Sequence, residues 1–161
     1  GSGNPGATNI LRSGKKSAAI LTLLGDGFKG WFIVWLSLQS GMLMWVVAAV
    51  GLSVFFGHLY PTYHKFKGGK GVATALGVML AISIWLGLAA LITWALVFAV
   101  TRYSSLAAVV AAALAPVYAW FLLPYKNYVL MMLVMSVMLI WRHKSNIEKL
   151  LNGTESGFGK K

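Results

Sequence analysis

Three polar segments hold most of the side chains able to do chemistry in this 161-residue chain. The first runs Gly1-Ser2-Gly3-Asn4-Pro5-Gly6-Ala7-Thr8-Asn9 and ends in Ile10-Leu11-Arg12. Glycine frees backbone amides, Ser, Thr and Asn add short donors, and the Arg12 guanidinium can clamp an oxyanion in bidentate fashion, so the set suits a phosphate cradle. The same composition also suits a flexible linker. The second segment is Gly57-His58, then Pro61, then Phe66-Lys67-Gly68-Gly69-Lys70-Gly71-Val72-Ala73-Thr74. Its glycines let backbone approach an anion closely, and a helix starting at Val72 would aim its positive dipole end at the same place. Lys70 is followed by Gly71 rather than Ser or Thr, so the pattern of a nucleotide-triphosphate loop is not met and nucleotide hydrolysis is not indicated. Lys65, Lys67 and Lys70 read equally well as simple cationic anchors beside a membrane.

The third segment is Arg142-His143-Lys144-Ser145-Asn146-Ile147-Glu148-Lys149-Leu150, with Gly153 and Glu155 shortly after. Continued as a helix, it would put Arg142 and Asn146 on one face and His143 one turn from Asn146. A solvated helix end is the plain alternative. His143 and Glu148 are five residues apart, a poor helical match for a catalytic dyad, and are read as coincidence. Asp26 and Lys29 differ from all of these because they lie inside an apolar run, where an unpaired acid costs about 2.5–3.5 kcal/mol. Their i, i+3 spacing allows a mutual ion pair, and structural support is the expected role ahead of catalysis.

The elements that must position these residues are membrane helices. The chain is 58% hydrophobic and 11% charged, where a soluble domain carries about 25% charged residues. Apolar spans are expected over Ala18–Leu38, Gly41–Tyr60, Ser105–Leu123 and Tyr128–Trp141. The 29-residue run from Val72 to Val100 is too long for one untilted span and short for two. Charge decides between these options. Two helices broken near Ser83 place Arg12, Lys15 and Lys16, then Lys65, Lys67 and Lys70, then Arg102, and then the basic C-terminus on one side, as the positive-inside rule requires. The fold class is therefore all-α, a polytopic bundle of about six transmembrane helices with its polar loops on the cytoplasmic face. One domain takes up residues 1–161, with 152–161 a loose tail. No signal peptide is read at the start, and no internal repeat is found. Fourteen Lys and Arg against three acids give a formal charge of +11, which favours anionic ligands. Cysteine is absent, which removes disulfides and thiol nucleophiles. Asp26, Glu148 and Glu155 are the only carboxylate side chains and form no ligand cluster, so no metal site is expected.

Taken together, the three segments resemble the bacterial acyl-phosphate:glycerol-3-phosphate acyltransferase family. The match is carried by Gly-Ser-Gly-Asn-Pro-Gly-Ala-Thr-Asn, by Gly-His-x-x-Pro with Phe-Lys-Gly-Gly-Lys-Gly-Val-Ala-Thr, and by Arg-His-x-x-Asn-Ile with a later Gly and Glu, in family order. Asp26 and Lys29-Gly30 also fit the family's pattern. The family implies seven helices, the first of which would precede Gly1. Resemblance implies transfer of a fatty acyl group from acyl phosphate to the 1-hydroxyl of glycerol 3-phosphate, giving lysophosphatidic acid and phosphate, in the bacterial inner membrane. It implies catalytic positions at Ser2, Arg12, His143 and Asn146. Substrate contacts would come from Gly3, Asn4, Gly6, Thr8, Asn9, His58, Lys67, Gly68, Gly69, Lys70, Gly71, Thr74 and Arg142. Asp26, Lys29 and Glu155 are assigned supporting roles. Neither a cofactor nor nucleic acid is expected, and the partners are the two substrates and the bilayer. The rival readings are an anion transporter or channel, which would want similar basic loops, and an inactive truncated family member. Transporters often carry paired interrupted repeats, and the Gly-Gly-Lys-Gly interruption has no second copy.

Overall fold

The computed structural model describes residues 6–62 and 66–158. Among them are eight α-helices: α1 (Ala7–Arg12), α2 (Lys16–Gln39), α3 (Met44–Leu59), α4 (Val72–Ile82), α5 (Ile84–Thr101), α6 (Ser104–Leu122), α7 (Lys126–Arg142) and α8 (Lys144–Leu151). Helices α2 to α7 are the six apolar ones expected, while α1 and α8 are short polar helices at one end. Among the described residues, α2, α5 and α6 are the helices long and apolar enough to cross a membrane unaided. The 11 residues of α4 rise about 16 Å, half of a hydrocarbon core.

The long apolar run breaks at Ser83, as the charge pattern requires. Ser83 is extended (φ −155°, ψ 124°) and its Oγ accepts from Leu86 N at 3.4 Å, capping α5. This cap satisfies a helix-end amide that lipid could not. With that break, α3, α5 and α7 return to the end from which α2, α4 and α6 depart, so the three motif segments meet there.

Helix α4 lies backbone-to-backbone on α2. A Cβ at Gly30 would fall 2.4 Å from the Thr74 carbonyl oxygen, and one at Gly77 would fall 2.0 Å from the Gly27 carbonyl oxygen. Without a hydrophobic drive between helices in lipid, such small-residue crossings supply close packing instead. Gly77→Ala should therefore force the pair apart and destabilise the protein by about 1–3 kcal/mol. Thermal unfolding in detergent measures this, and an unchanged Tm would contradict the crossing. Large side chains such as Val34, Val47, Phe55, Leu59, Val78, Leu86, Met131 and Met132 fill the bundle interior. Phe28, Phe32 and Trp35 instead stack along an outward face of α2, an arrangement suited to lipid.

Two local expectations are corrected. The last helix does not continue through Leu150: it stops at Arg142, His143 leaves the helical range (φ −95°, ψ 5°), and α8 starts afresh at Lys144. The Lys-Ser-Asn-Ile-Glu-Lys-Leu-Leu stretch is charged and amphipathic, which favours lying along a surface over prolonging a span. Nor are residues 154–158 laid out as a loose tail. Glu155 is buried, Phe158 N donates to the Arg102 carbonyl at 3.0 Å, and the Phe158 ring packs edge-on against Phe98.

Candidate active site

The glycine loop is built against the end of α3. Gly68 N donates to the Leu59 carbonyl at 3.1 Å, and a Cβ at Gly68 would sit 2.0 Å from the His58 carbonyl oxygen. Gly71 has φ +85°, and a Cβ there would meet the Phe55 ring at 2.4 Å. Glycine is thus required at both places, once for space and once for conformation as well. Arg142 clasps the loop from α7, donating from Nη2 to the carbonyls of Gly68 (2.9 Å) and Gly69 (3.2 Å). Its guanidinium also lies over the Tyr60 ring, 5.7 Å from the centroid.

Beside the loop runs a polar chain that links the approach to α4, α8, the segment after it and the start of α6. Lys70 Nζ donates to Asn146 Oδ1. Asn146 Nδ2 donates in turn to Glu155 Oε1 at 2.9 Å, and Ser105 Oγ donates to the same oxygen at 2.7 Å. Burial holds Lys70 below the usual lysine range; Glu155 pulls it back up, and the nearby Arg12, Lys149 and Arg142 push it down further. A site that crowds its own cations in this way gains by binding a dianion. Replacing Glu155 with Ala should leave Asn146 and Ser105 short of an acceptor and cost about 1–3 kcal/mol. The check is a lowered Tm, with Glu155→Gln retaining part of the loss because its amide oxygen still accepts.

His143 is buried where α7 ends. Its Nδ1 lies 2.8 Å from the Leu139 carbonyl oxygen, which can only accept, so Nδ1 carries the hydrogen and Nε2 keeps its lone pair. Burial drives the imidazole down to about 4; the bond to Leu139 opposes this, Lys70 and Arg142 add to it, and Glu155 opposes it. The ring is therefore neutral at physiological pH, the form a proton acceptor needs.

From α1, the Arg12 guanidinium donates to the Ser156 carbonyl and stacks 5.4 Å over the Phe158 ring. Thr8 Oγ1 approaches Ser104 Oγ at 3.5 Å, tying α1 to the start of α6. The structure thus gathers Gly6, Thr8 and Arg12 with Lys67, Gly68, Gly69, Lys70 and Gly71 and with Arg142, His143 and Asn146 at one end of the bundle. Ser2, Gly3 and Asn4 lie outside the described residues. Thr74 sits elsewhere than expected: it is fully buried at the α2–α4 crossing, and its Oγ1 has no partner among the described residues. His58 faces two ways, with Nδ1 on Lys29 and Asp26 and the other edge against Gly69. The Asp26–Lys29 pair forms as expected at 2.7 Å. Sequence reasoning missed Ser105, which looked like the first residue of an apolar span, and the Leu139 carbonyl, which carries no sequence signal at all.

A family model described as glycerol-3-phosphate acyltransferase matches residues 1–153. The glycerol-3-phosphate acyltransferase of Methylobacillus flagellatus is 63% identical over 161 residues, covering 100% of this chain and 82% of that protein. The enzyme of the same name from Nitrosospira multiformis is 58% identical over 165 residues, with 100% and 82% coverage. Two crystal structures of PlsY, an integral membrane glycerol 3-phosphate acyltransferase, share the fold at 39% identity. The glycerol 3-phosphate form has a TM-score of 0.95 and covers 99% of this chain and 80% of that one. The lysophosphatidic acid form has a TM-score of 0.93, with 98% and 81% coverage. This multi-pass membrane chain, with its cluster of cations around a glycine loop and its buried histidine, belongs to the glycerol-3-phosphate acyltransferase family.

Proposed function

We propose that this chain transfers a fatty acyl group from acyl phosphate to the 1-hydroxyl of glycerol 3-phosphate, releasing lysophosphatidic acid and inorganic phosphate, at the cytoplasmic face of a bacterial inner membrane. The observation that carries this reading is the meeting of Arg12, the 68–71 loop, Arg142 and His143, whose Nδ1 is engaged by the Leu139 carbonyl, at one end of an apolar bundle. Both substrates bring phosphate and one brings an alkyl chain, so a cationic pocket opening toward lipid is what the reaction needs. The excess of bases on that end supports placing it on the cytoplasmic side.

In the proposed reaction the glycerol 3-phosphate hydroxyl oxygen attacks the acyl carbonyl carbon. The carbon–oxygen bond to phosphate breaks, phosphate departs with the bonding pair, and the hydroxyl proton passes to His143 Nε2 or to a phosphate oxygen. Acyl phosphate already has a good leaving group, so no covalent acyl-enzyme is needed. Lys70, Arg12 and Arg142 neutralise phosphate charge, and loop amides stabilise the oxyanion that develops. Ser2 and Asn146 complete the proposed site, Ser2 as a donor to phosphate and Asn146 by fixing Lys70. Purified protein in lipid, supplied with acyl phosphate and glycerol 3-phosphate, should form lysophosphatidic acid. Absence of product from folded protein would defeat the enzyme reading. Phosphate flux into sealed vesicles without product would favour a transporter.

A further inference from the structure

Asp26, Lys29 and His58 form a second polar cluster, which meets the glycine loop through the His58 ring and backbone, while Arg142 holds the loop by its carbonyls. Lys29 Nζ lies 2.7 Å from Asp26 Oδ1 and 2.7 Å from His58 Nδ1, while His58 Nδ1 lies 3.3 Å from the same carboxylate oxygen. An ammonium only donates, so it supplies hydrogens to both the carboxylate and the imidazole nitrogen. His58 Nδ1 therefore accepts, and a neutral ring carries its hydrogen on Nε2. That nitrogen faces Gly69 so closely that a Cβ there would lie 2.2 Å from it. The adjoining His58 carbonyl is the group that a Gly68 Cβ would strike at 2.0 Å.

Building on the acyltransferase reading, we propose that Asp26, Lys29 and His58 are positioning residues that lock one imidazole tautomer beneath Gly69, so that the loop's phosphate-binding shape is clamped between His58 and Arg142. The physical logic matches that of an outer-shell partner orienting a functional ligand: the charge pair acts through the ring, setting which of its nitrogens carries the hydrogen. Without Lys29, His58 Nδ1 would be free to donate to Asp26, and Nε2 would lose its hydrogen. Arg142 holds the carbonyl side of Gly68 and Gly69, so loosening the other side changes the loop's shape while the cations stay in place. Phosphate binding should suffer more than turnover.

The test compares His58→Gln with His58→Asn, because a Gln amide nitrogen reaches the place of Nε2 and an Asn amide nitrogen only that of Nδ1. KM for each substrate and kcat are measured on wild-type and variant protein in lipid, with Tm recorded for each. His58→Asn and Lys29→Met should raise KM for at least one phosphate-bearing substrate tenfold or more, with kcat falling less than threefold. His58→Gln and Lys29→Arg should stay within about threefold of wild type. A double variant, Gly69→Ala with His58→Ala, should recover part of the activity lost in Gly69→Ala alone, since the ring that blocks the new methyl is gone. Equal KM values for Gln and Asn at position 58 would overturn the proposal, as would losses confined to kcat or losses that track Tm alone. A wild-type protein that makes no lysophosphatidic acid would instead defeat the underlying functional reading.

Discussion

Gly68→Ala is expected to lower kcat/KM by about a hundredfold or more, the largest effect of any single methyl group in the site. The added Cβ would lie 2.0 Å from the His58 carbonyl oxygen and 2.6 Å from that of Leu59. These two obstacles are backbone at the end of α3, and the third, Pro61 Cδ at 2.6 Å, belongs to a closed ring, so no side chain can swing aside. Relief must come from the loop, and moving it breaks the Gly68 N–Leu59 bond and displaces the carbonyls that hold Arg142. A shift of about 1 Å at a catalytic centre costs on the order of a hundredfold in rate. Gly57 supplies the control. It belongs to the same motif, but a Cβ there meets nothing within 4 Å, and Ala is the better residue inside a helix. Steady-state kinetics of the two variants, each confirmed as folded, should separate them cleanly; equal activity would mean that the loop's fit against α3 is irrelevant to catalysis.

His143→Ala should lower kcat by about 10²- to 10⁴-fold if Nε2 takes the hydroxyl proton, the range that positioned general bases contribute. His143→Gln places an amide near Nε2 without a basic nitrogen and should be nearly as slow. Near-normal turnover in both would move the proton to substrate phosphate and leave His143 a packing residue. Because burial, above all, carries the folded imidazole down to about 4, the free enzyme should show no His143 titration between pH 5 and 8. Any fall in kcat/KM across that window belongs to substrate phosphate or to another group.

The same shift affects stability. Above about pH 6.5 the imidazole is neutral in both folded and unfolded chains, and the full stability is present. Between there and about pH 4 the unfolded chain takes up a proton that the folded chain refuses, so stability falls as pH drops, by about 3 kcal/mol over the whole window. Unfolding in detergent at pH 7 and pH 4.5 should therefore show a larger loss for wild type than for His143→Gln. Parallel losses would show that His143 is not what the acid acts on.

Much of this protein is legible one residue at a time. Apolar run lengths and the placement of bases read out six apolar helices and even the break at Ser83, because hydrocarbon tolerates neither unpaired charge nor unpaired backbone, and both demands are local. The three polar segments were equally plain, since glycines and bases stand out against so greasy a background. What the sequence left open was direction and partner. Gly57, Gly68 and Gly69 look alike in a string of letters, yet one borders open space, one meets the α3 backbone and one meets an imidazole. His58 and His143 are likewise the same residue type, but Lys29 turns the first hydrogen toward the loop, while the Leu139 carbonyl leaves the second ring with a lone pair. Thr74, which read as part of the phosphate loop, belongs to a helix crossing, and Glu155, which read both as a supporting residue and as part of a loose tail, has its support made specific: it accepts from Ser105 and Asn146. Solvent preference is a property of each side chain and survives in one dimension. Tautomer, clash and hydrogen-bond partner are properties of pairs distant in the chain, and only the packed bundle decides them.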